Sequence, residues 1–129
     1  MTDKKFKQII VSIIMPCYNQ GKYIMEAINS VKSQTFTEWE CIIVDDGSTD
    51  DSYIIAEKNI KNDERFILIK QNNMGVCIAR NNAVKKASGK YILPFDADDI
   101  LSPLFLEKTV RILEENNDCK LVYTDFRFF

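Results

Sequence analysis

The sequence predicts an α/β domain, a mostly parallel sheet with helices on both faces. Two observations carry that prediction. Short apolar runs alternate along the chain with segments whose apolar residues recur at helical spacing, the pattern of βαβ units. The unusual polar residues, moreover, collect in the loops that follow the apolar runs, the edge at which open α/β sheets bind ligands.

Strands are expected at Ile9–Met15, Glu40–Val44, Phe66–Ile69, Tyr91–Phe95 and Leu121–Phe126, and the first four lead into helical segments. In the first helix Ile24, Ala27, Ile28 and Val31 fall at i, i+3, i+4 and i+7, a stripe that faces a sheet. The second runs from about Asp51 to Asn62, with Ile54 and Ile55 inward and Lys58 and Lys61 outward. Ile78, Ala79, Ala83 and Ala87 give the third a small-residue stripe suited to close packing on the sheet. The fourth is expected to open with Ser102 as N-cap and Pro103 at its first position, burying Leu106, Val110 and Leu113. Met1–Gln8 is polar and expected to fray.

At 129 residues the chain is one domain, large enough to bury a core. With 46% hydrophobic and 28% charged residues it has an ordinary globular composition. The net charge of −2 argues against a nucleic-acid surface, which carries a basic stripe. No stretch approaches the roughly 18 apolar residues of a membrane span. The run at 9–15 follows three lysines as a signal peptide would, but it meets Pro16-Cys17-Tyr18-Asn19 without a small-residue cleavage site, so a strand fits better.

Cys17, Cys41, Cys77 and Cys119 have no zinc-ligand spacing, and free thiols in a reducing cytoplasm account for them. The chain has no histidine, which removes Ser-His-Asp and Cys-His catalysis and the usual zinc hydrolases. Its chemistry must run on carboxylates, a metal, or groups outside the chain.

The loops at the strands' carboxyl ends are Pro16-Cys17-Tyr18-Asn19, Asp45 through Asp50, Gln71 through Gly75, and Asp96-Ala97-Asp98-Asp99. The last puts three carboxylates within four positions at the end of a buried strand. Such a cluster repels itself unless a proton or cation sits in it, and carboxylate oxygens suit hard ions such as Mg²⁺ or Mn²⁺. Tyr18 offers an aromatic face and Asp46 an acceptor for a ring N–H, which together suit a nucleobase. No Gly-x-Gly-x-x-Gly or P-loop cradles phosphates, so a diphosphate would depend on a metal held by the aspartates, with help from Arg80. Each residue also has a plainer reading. Tyr18 can be core packing, Asp45-Asp46-Gly47 a turn, Asp50 or Asp51 a helix cap, Arg80 a solvated helix residue and Gly75 a left-handed turn.

The motifs resemble the family 2 glycosyltransferases of the GT-A fold, a Rossmann-like architecture. They are Val11 through Asn19, Ser33-Gln34-Thr35-Phe36, Glu40 through Asp50, Gly75 through Asn82 and Gly89 through Asp99, in the family's order and over nearly the whole chain. The resemblance implies that Pro16, Tyr18, Asn19, Asp45 and Asp46 hold the base and ribose of a nucleotide-sugar donor, with UDP the default nucleotide. It implies that Asp96 and Ala97 lie near the ribose, that Asp98 with Asp96 holds Mn²⁺ or Mg²⁺, and that Arg80 supports the diphosphate or the aspartate loop. The reaction would be inverting transfer to an acceptor hydroxyl. A saccharide or glycolipid acceptor, in the cytoplasm or at the inner face of the membrane, fits the resemblance.

Family members continue beyond this length into an acceptor-binding half that supplies the general base. The base is therefore expected beyond Phe129, with Asp125 not in its place, and the aromatic ending Tyr123 through Phe129 reads as a cut. A donor-binding portion of this kind would bind nucleotide, transfer sugar poorly by itself, and tend to self-associate through exposed core. Three other readings compete. A haloacid-dehalogenase-like phosphatase carries Asp-x-Asp on its first strand, whereas three βα units precede it here. A signalling receiver domain carries its acidic pair at the end of its first strand and a later Lys-Pro. A non-catalytic nucleotide-binding relative stays open, because the half expected to supply the base lies beyond Phe129.

Overall fold

The computed structural model describes residues 8–128. The expectation for Met1–Gln8 therefore lies, Gln8 apart, outside the described residues. Four strands and four helices alternate: β1 (Val11–Cys17), α1 (Ile24–Lys32), β2 (Trp39–Asp45), α2 (Ser52–Ile60), β3 (Phe66–Lys70), α3 (Val76–Val84), β4 (Tyr91–Pro94) and α4 (Phe105–Glu115). The sheet order is β3-β2-β1-β4 and every pair is parallel. The chain steps outward from β1 to β2 to β3, then crosses back to place β4 on the other side of β1. Loops leaving β1 and β4 consequently diverge, and a crevice opens at that reversal of strand order.

Alternation along the strands divides the core into two layers. Val11, Ile13, Met15 and Cys17 of β1 pack with the stripe of α1, with Ala56 of α2 and with Leu106 and Val110 of α4. Ile14, Ile42 and Val44 face the other way, onto Ala79 and Ala83 of α3. Three helices thus cover one face and one covers the other. The α1 stripe lies where its spacing predicts, with Ile24, Ala27, Ile28 and Val31 all buried.

Several expectations are corrected. Ile54 is half exposed, because α2 turns Ser52 and Ala56 inward and only Ile55 and Ile60 pack beside them. Ile78 is exposed for a similar reason, since Ala79 and Ala83 alone define the buried line of α3. Residues Leu121–Phe126 form no strand; Leu121, Tyr123 and Phe126 are exposed and the outer edge of β4 is unpaired among the described residues. Their alternating pattern supplies β-propensity, but a strand exists only where a partner completes its ladder.

The start of α4 also differs. Ser102 and Pro103 form a preceding turn closed by the Phe105 N–H on the Ser102 carbonyl (3.0 Å), and Leu104 rather than Ser102 sits at the N-cap without a side-chain bond. The cap comes from a distance. Gln34 Oε1 accepts the Leu106 N–H (3.0 Å), while its Nε2 donates to the carbonyls of Ser102 (2.7 Å) and Ser30 (3.1 Å). Gln34, with the Thr35 N–H on the Pro103 carbonyl (3.0 Å), therefore fastens the segment between β4 and α4, which carries the aspartate cluster.

Candidate functional site

A cleft of about 400 Å³ occupies the crevice at the carboxyl edge of the sheet. Pro16, Tyr18 and Gln20 form the wall after β1, Asp46 the floor after β2. Asn73, Gly75 and Arg80 line it from the β3–α3 side, and Asp96 through Asp98 close it after β4. Tyr18 is 46% exposed on this wall, which excludes the core-packing reading.

Asp46 is 3% exposed and held on every side. Its Oδ1 accepts from Gln71 Nε2 (2.8 Å) and the Met74 N–H (2.8 Å), and its Oδ2 accepts from the Gly75 N–H (2.9 Å). Burial pushes its pKa up, but the three donors together outweigh burial and hold it below the ordinary carboxylate range. Gly75 has φ of 92° and a Cβ placed on it would meet open space. Its conformation, not crowding, is what calls for glycine there. Gly47, at φ 74°, is constrained twice over, since a Cβ would come within 2.8 Å of the Asn73 nitrogen.

Two expected donor contacts lie outside the cleft. Asn19, at φ 52°, uses its side-chain oxygen to accept the Thr49 N–H (2.8 Å) and Asp50 N–H (3.3 Å), and its own N–H donates to Ser48 Oγ (3.0 Å). It ties the β1 loop to the β2 loop. Asp45 is 1% exposed beneath the surface. One oxygen accepts the Ser48 N–H (3.2 Å) and the other has no partner in the structure. Burial, with Asp45 and Asp50 nearby, pushes the neighbouring Cys17 thiol up to about 11 despite bonds from Ser52 and Gln20, so it stays protonated. Asp50 is the carboxylate that holds the start of α2, accepting from the Ser52 N–H (2.9 Å), the Ser52 hydroxyl and the Gly21 N–H (2.9 Å).

The fourth loop is the opposite case. The carboxylate oxygens of Asp96, Asp98 and Asp99 come within 4.8 Å of one another. Arg80 reaches Asp96 Oδ1 at 2.6 Å, and its Nε is buried without a partner. Partial burial first, then the charges of Asp98 and Asp96, push the Asp99 carboxyl above its usual range. Three converging hard oxygen ligands fit a divalent cation of the Mg²⁺ or Mn²⁺ type.

Of the residues singled out from the sequence, Pro16, Tyr18, Asp46, Arg80, Asp96, Ala97 and Asp98 meet in this cleft. Gln20, Asn73, Val76 and Ala79 also line it and were not singled out. Position at the carboxyl edge was the available signal for Gln20 and Asn73. Val76 and Ala79 read only as helix residues.

The family model described as "Glycosyl transferase family 2" matches residues 12–127. The chain belongs to glycosyl transferase family 2. It is 39% identical over 118 residues to the chondroitin synthase of Escherichia coli, covering 92% of this chain and 17% of that protein. It is 35% identical over 109 residues to the glycosyltransferase GlyG of Streptococcus pneumoniae, covering 84% of this chain and 36% of that protein. Crystal structures of S. aureus TarS 1–349, in complex with UDP and with UDP-GlcNAc, superpose with a TM-score of 0.79 at 34% identity. They match 84% of this chain and 33% and 32% of theirs. The family 2 chain thus has the GT-A architecture over its four parallel strands, and spans well under half the length of each of these relatives. No helix among its described residues is long and apolar enough to cross a membrane.

Proposed function

We propose that this chain is the donor-binding part of a glycosyltransferase that takes a UDP-sugar with Mn²⁺ or Mg²⁺ and passes the sugar, with inversion, to an acceptor hydroxyl. The observation that carries the reading is one cleft that joins an exposed aromatic face, a fixed anionic acceptor, an arginine, and Asp96 and Asp98 of the three-carboxylate cluster. The base stacks against Tyr18 and gives its ring N–H to Asp46. Arg80, already beside Asp96, turns its guanidinium to the diphosphate. Asp98, with Asp96, would hold the cation, which when bound offsets the negative charge that grows on the departing nucleoside diphosphate. The likeness to TarS, whose structures hold UDP and UDP-GlcNAc, supports the choice of a UDP-sugar.

Activating the acceptor hydroxyl requires a carboxylate base within hydrogen-bond reach. Asp46 is engaged by three donors and Asp96 and Asp98 are assigned to the cation, so the reading takes the base from outside this cleft.

Calorimetric titration of UDP with and without Mn²⁺, repeated on Asp98→Asn, tests this. Binding that needs Mn²⁺ and is lost in the variant is the expected result. UDP binding indifferent to both would remove the metal from the reading, and no UDP binding at all would remove the donor.

A further inference from the structure

Two side-chain amides stand in line behind Asp46, away from the cleft. Asn82 of α3 donates through Nδ2 to Gln71 Oε1 (2.8 Å), and Gln71 donates through Nε2 to Asp46 Oδ1 (2.8 Å). Neither amide lines the cleft. A carboxylate only accepts, so Gln71 turns its Nε2 toward Asp46 and its Oε1 toward Asn82, whose amide supplies the matching donor. Oδ1 then takes two donors and Oδ2 only the Gly75 N–H, leaving the greater spare acceptor capacity on Oδ2.

We infer that Asn82 and Gln71 are positioning residues that set base selectivity by holding Asp46 in one orientation as an acceptor-only group. The inference rests on the nucleotide reading above. A fixed acceptor pairs with a base that presents a ring N–H, as uracil and guanine do. It opposes the ring-nitrogen lone pair that cytosine and adenine present there, leaving two acceptors facing each other. A carboxylate free to turn loses this discrimination, because it can swing to the exocyclic amino group of cytosine.

The test is calorimetric titration of UDP and CDP, with Mn²⁺, into the full protein and four variants. Asn82→Asp replaces a donor with an acceptor, so the Gln71 amide turns over and aims its oxygen at Asp46. UDP affinity should fall about tenfold, the effect of losing a charge-assisted hydrogen bond, and the preference for UDP over CDP should fall with it. Asn82→Leu removes the outer bond and leaves the Gln71 bond to Asp46 in place, so the preference should fall by no more than about threefold. On a Gln71→Met background there is no amide to turn, so Asn82→Asp should have no further effect on the preference.

Equal losses of UDP and CDP affinity in Asn82→Asp, the signature of a merely loosened α3, would overturn the inference. So would an unchanged affinity, or the same cost with methionine at position 71. Wild-type protein that binds neither nucleotide would overturn the nucleotide reading itself and this inference with it.

Discussion

The loops after β2 and β4 stand on one edge of one sheet and are both rich in aspartate, yet they treat their carboxylates in opposite ways. Asp46 and Asp50 are surrounded by N–H and O–H donors from three other segments, and both are held below the ordinary carboxylate range although burial opposes this. Among the described residues Asp96, Asp98 and Asp99 receive one side-chain hydrogen-bond partner, Arg80, and Asp99 is pushed the other way. The residue type is the same; the difference lies in where the negative charge finds its compensation. Compensation from the protein makes a rigid acceptor; in the β4 loop the proposed cation would supply it. The β4 loop is nevertheless not loose. Its backbone is fastened by the Asp99 N–H on the Asp96 carbonyl (3.1 Å), the Leu101 N–H on Ser30 Oγ (3.1 Å) and the Gln34 clamp.

The contrast is broken most severely at Asp46. Asp46→Ala strips the acceptor from the Gln71 amide and from two backbone N–H groups at a site that is 3% exposed. Unsatisfied donors of this kind cost about 1–3 kcal/mol each, and after partial entry of water a loss of about 3 kcal/mol is expected, with UDP binding abolished. Urea unfolding measures it. Because the folded pKa of Asp46 is depressed, its stabilisation is complete above the unfolded value of about 3.9 and disappears as pH falls through the folded one. Wild type and variant should therefore converge in strong acid. A folded Asp46 that titrates at or above its unfolded value would show that the charge is not what the three donors hold.

An intermediate effect is expected at Gln34, which holds the β4 loop by backbone rather than by charge. Gln34→Leu removes the acceptor of the Leu106 N–H and donors to two carbonyls, and should cost about 1–2 kcal/mol. Faster amide hydrogen exchange at Leu101 and Leu106, with exchange at Gly75 unchanged, would show that the two loops are held independently. Acceleration at all three would mean a general loss of fold.

These two residues also mark what a sequence discloses. The strand ends, the α1 stripe and the clustering of aspartates follow from local pattern, since periodicity and charge are written in neighbouring residues. Ser102-Pro103 is a sound local signal for a helix start, but the cap arrives from Gln34, far away in sequence. Asp46 was legible as an acceptor at the right edge; its three donors, two of them backbone, were not, because they depend on how the 71–75 loop folds over it. Leu121–Phe126 has the alternation of a strand but pairs with none among the described residues. Ile54 and Ile78 fail more simply, because in α2 and α3 the alanines and a serine, not the largest apolar side chains, face the sheet. Pattern identifies residues capable of a role, and tertiary contacts select among them.

The smallest effect, and the most direct measure of the difference between the loops, belongs to Asp99→Asn. A carboxyl whose folded pKa is raised binds its proton more tightly in the folded state, so it detracts from stability as pH rises from its unfolded value of about 3.9 to its folded one. Above that window the penalty is constant. The amide removes it, and metal-free protein at pH 7 should gain stability, though by less than about 1 kcal/mol because the side chain is exposed and screened. The gain should vanish below pH 4 or so, where the wild-type carboxyl is protonated in both states, and shrink in high salt. Mn²⁺ should diminish or reverse it, because a bound cation turns mutual repulsion into common attraction. A variant less stable than wild type in metal-free buffer would mean that Asp99 is compensated within the chain after all, and the two acidic loops would no longer differ in kind.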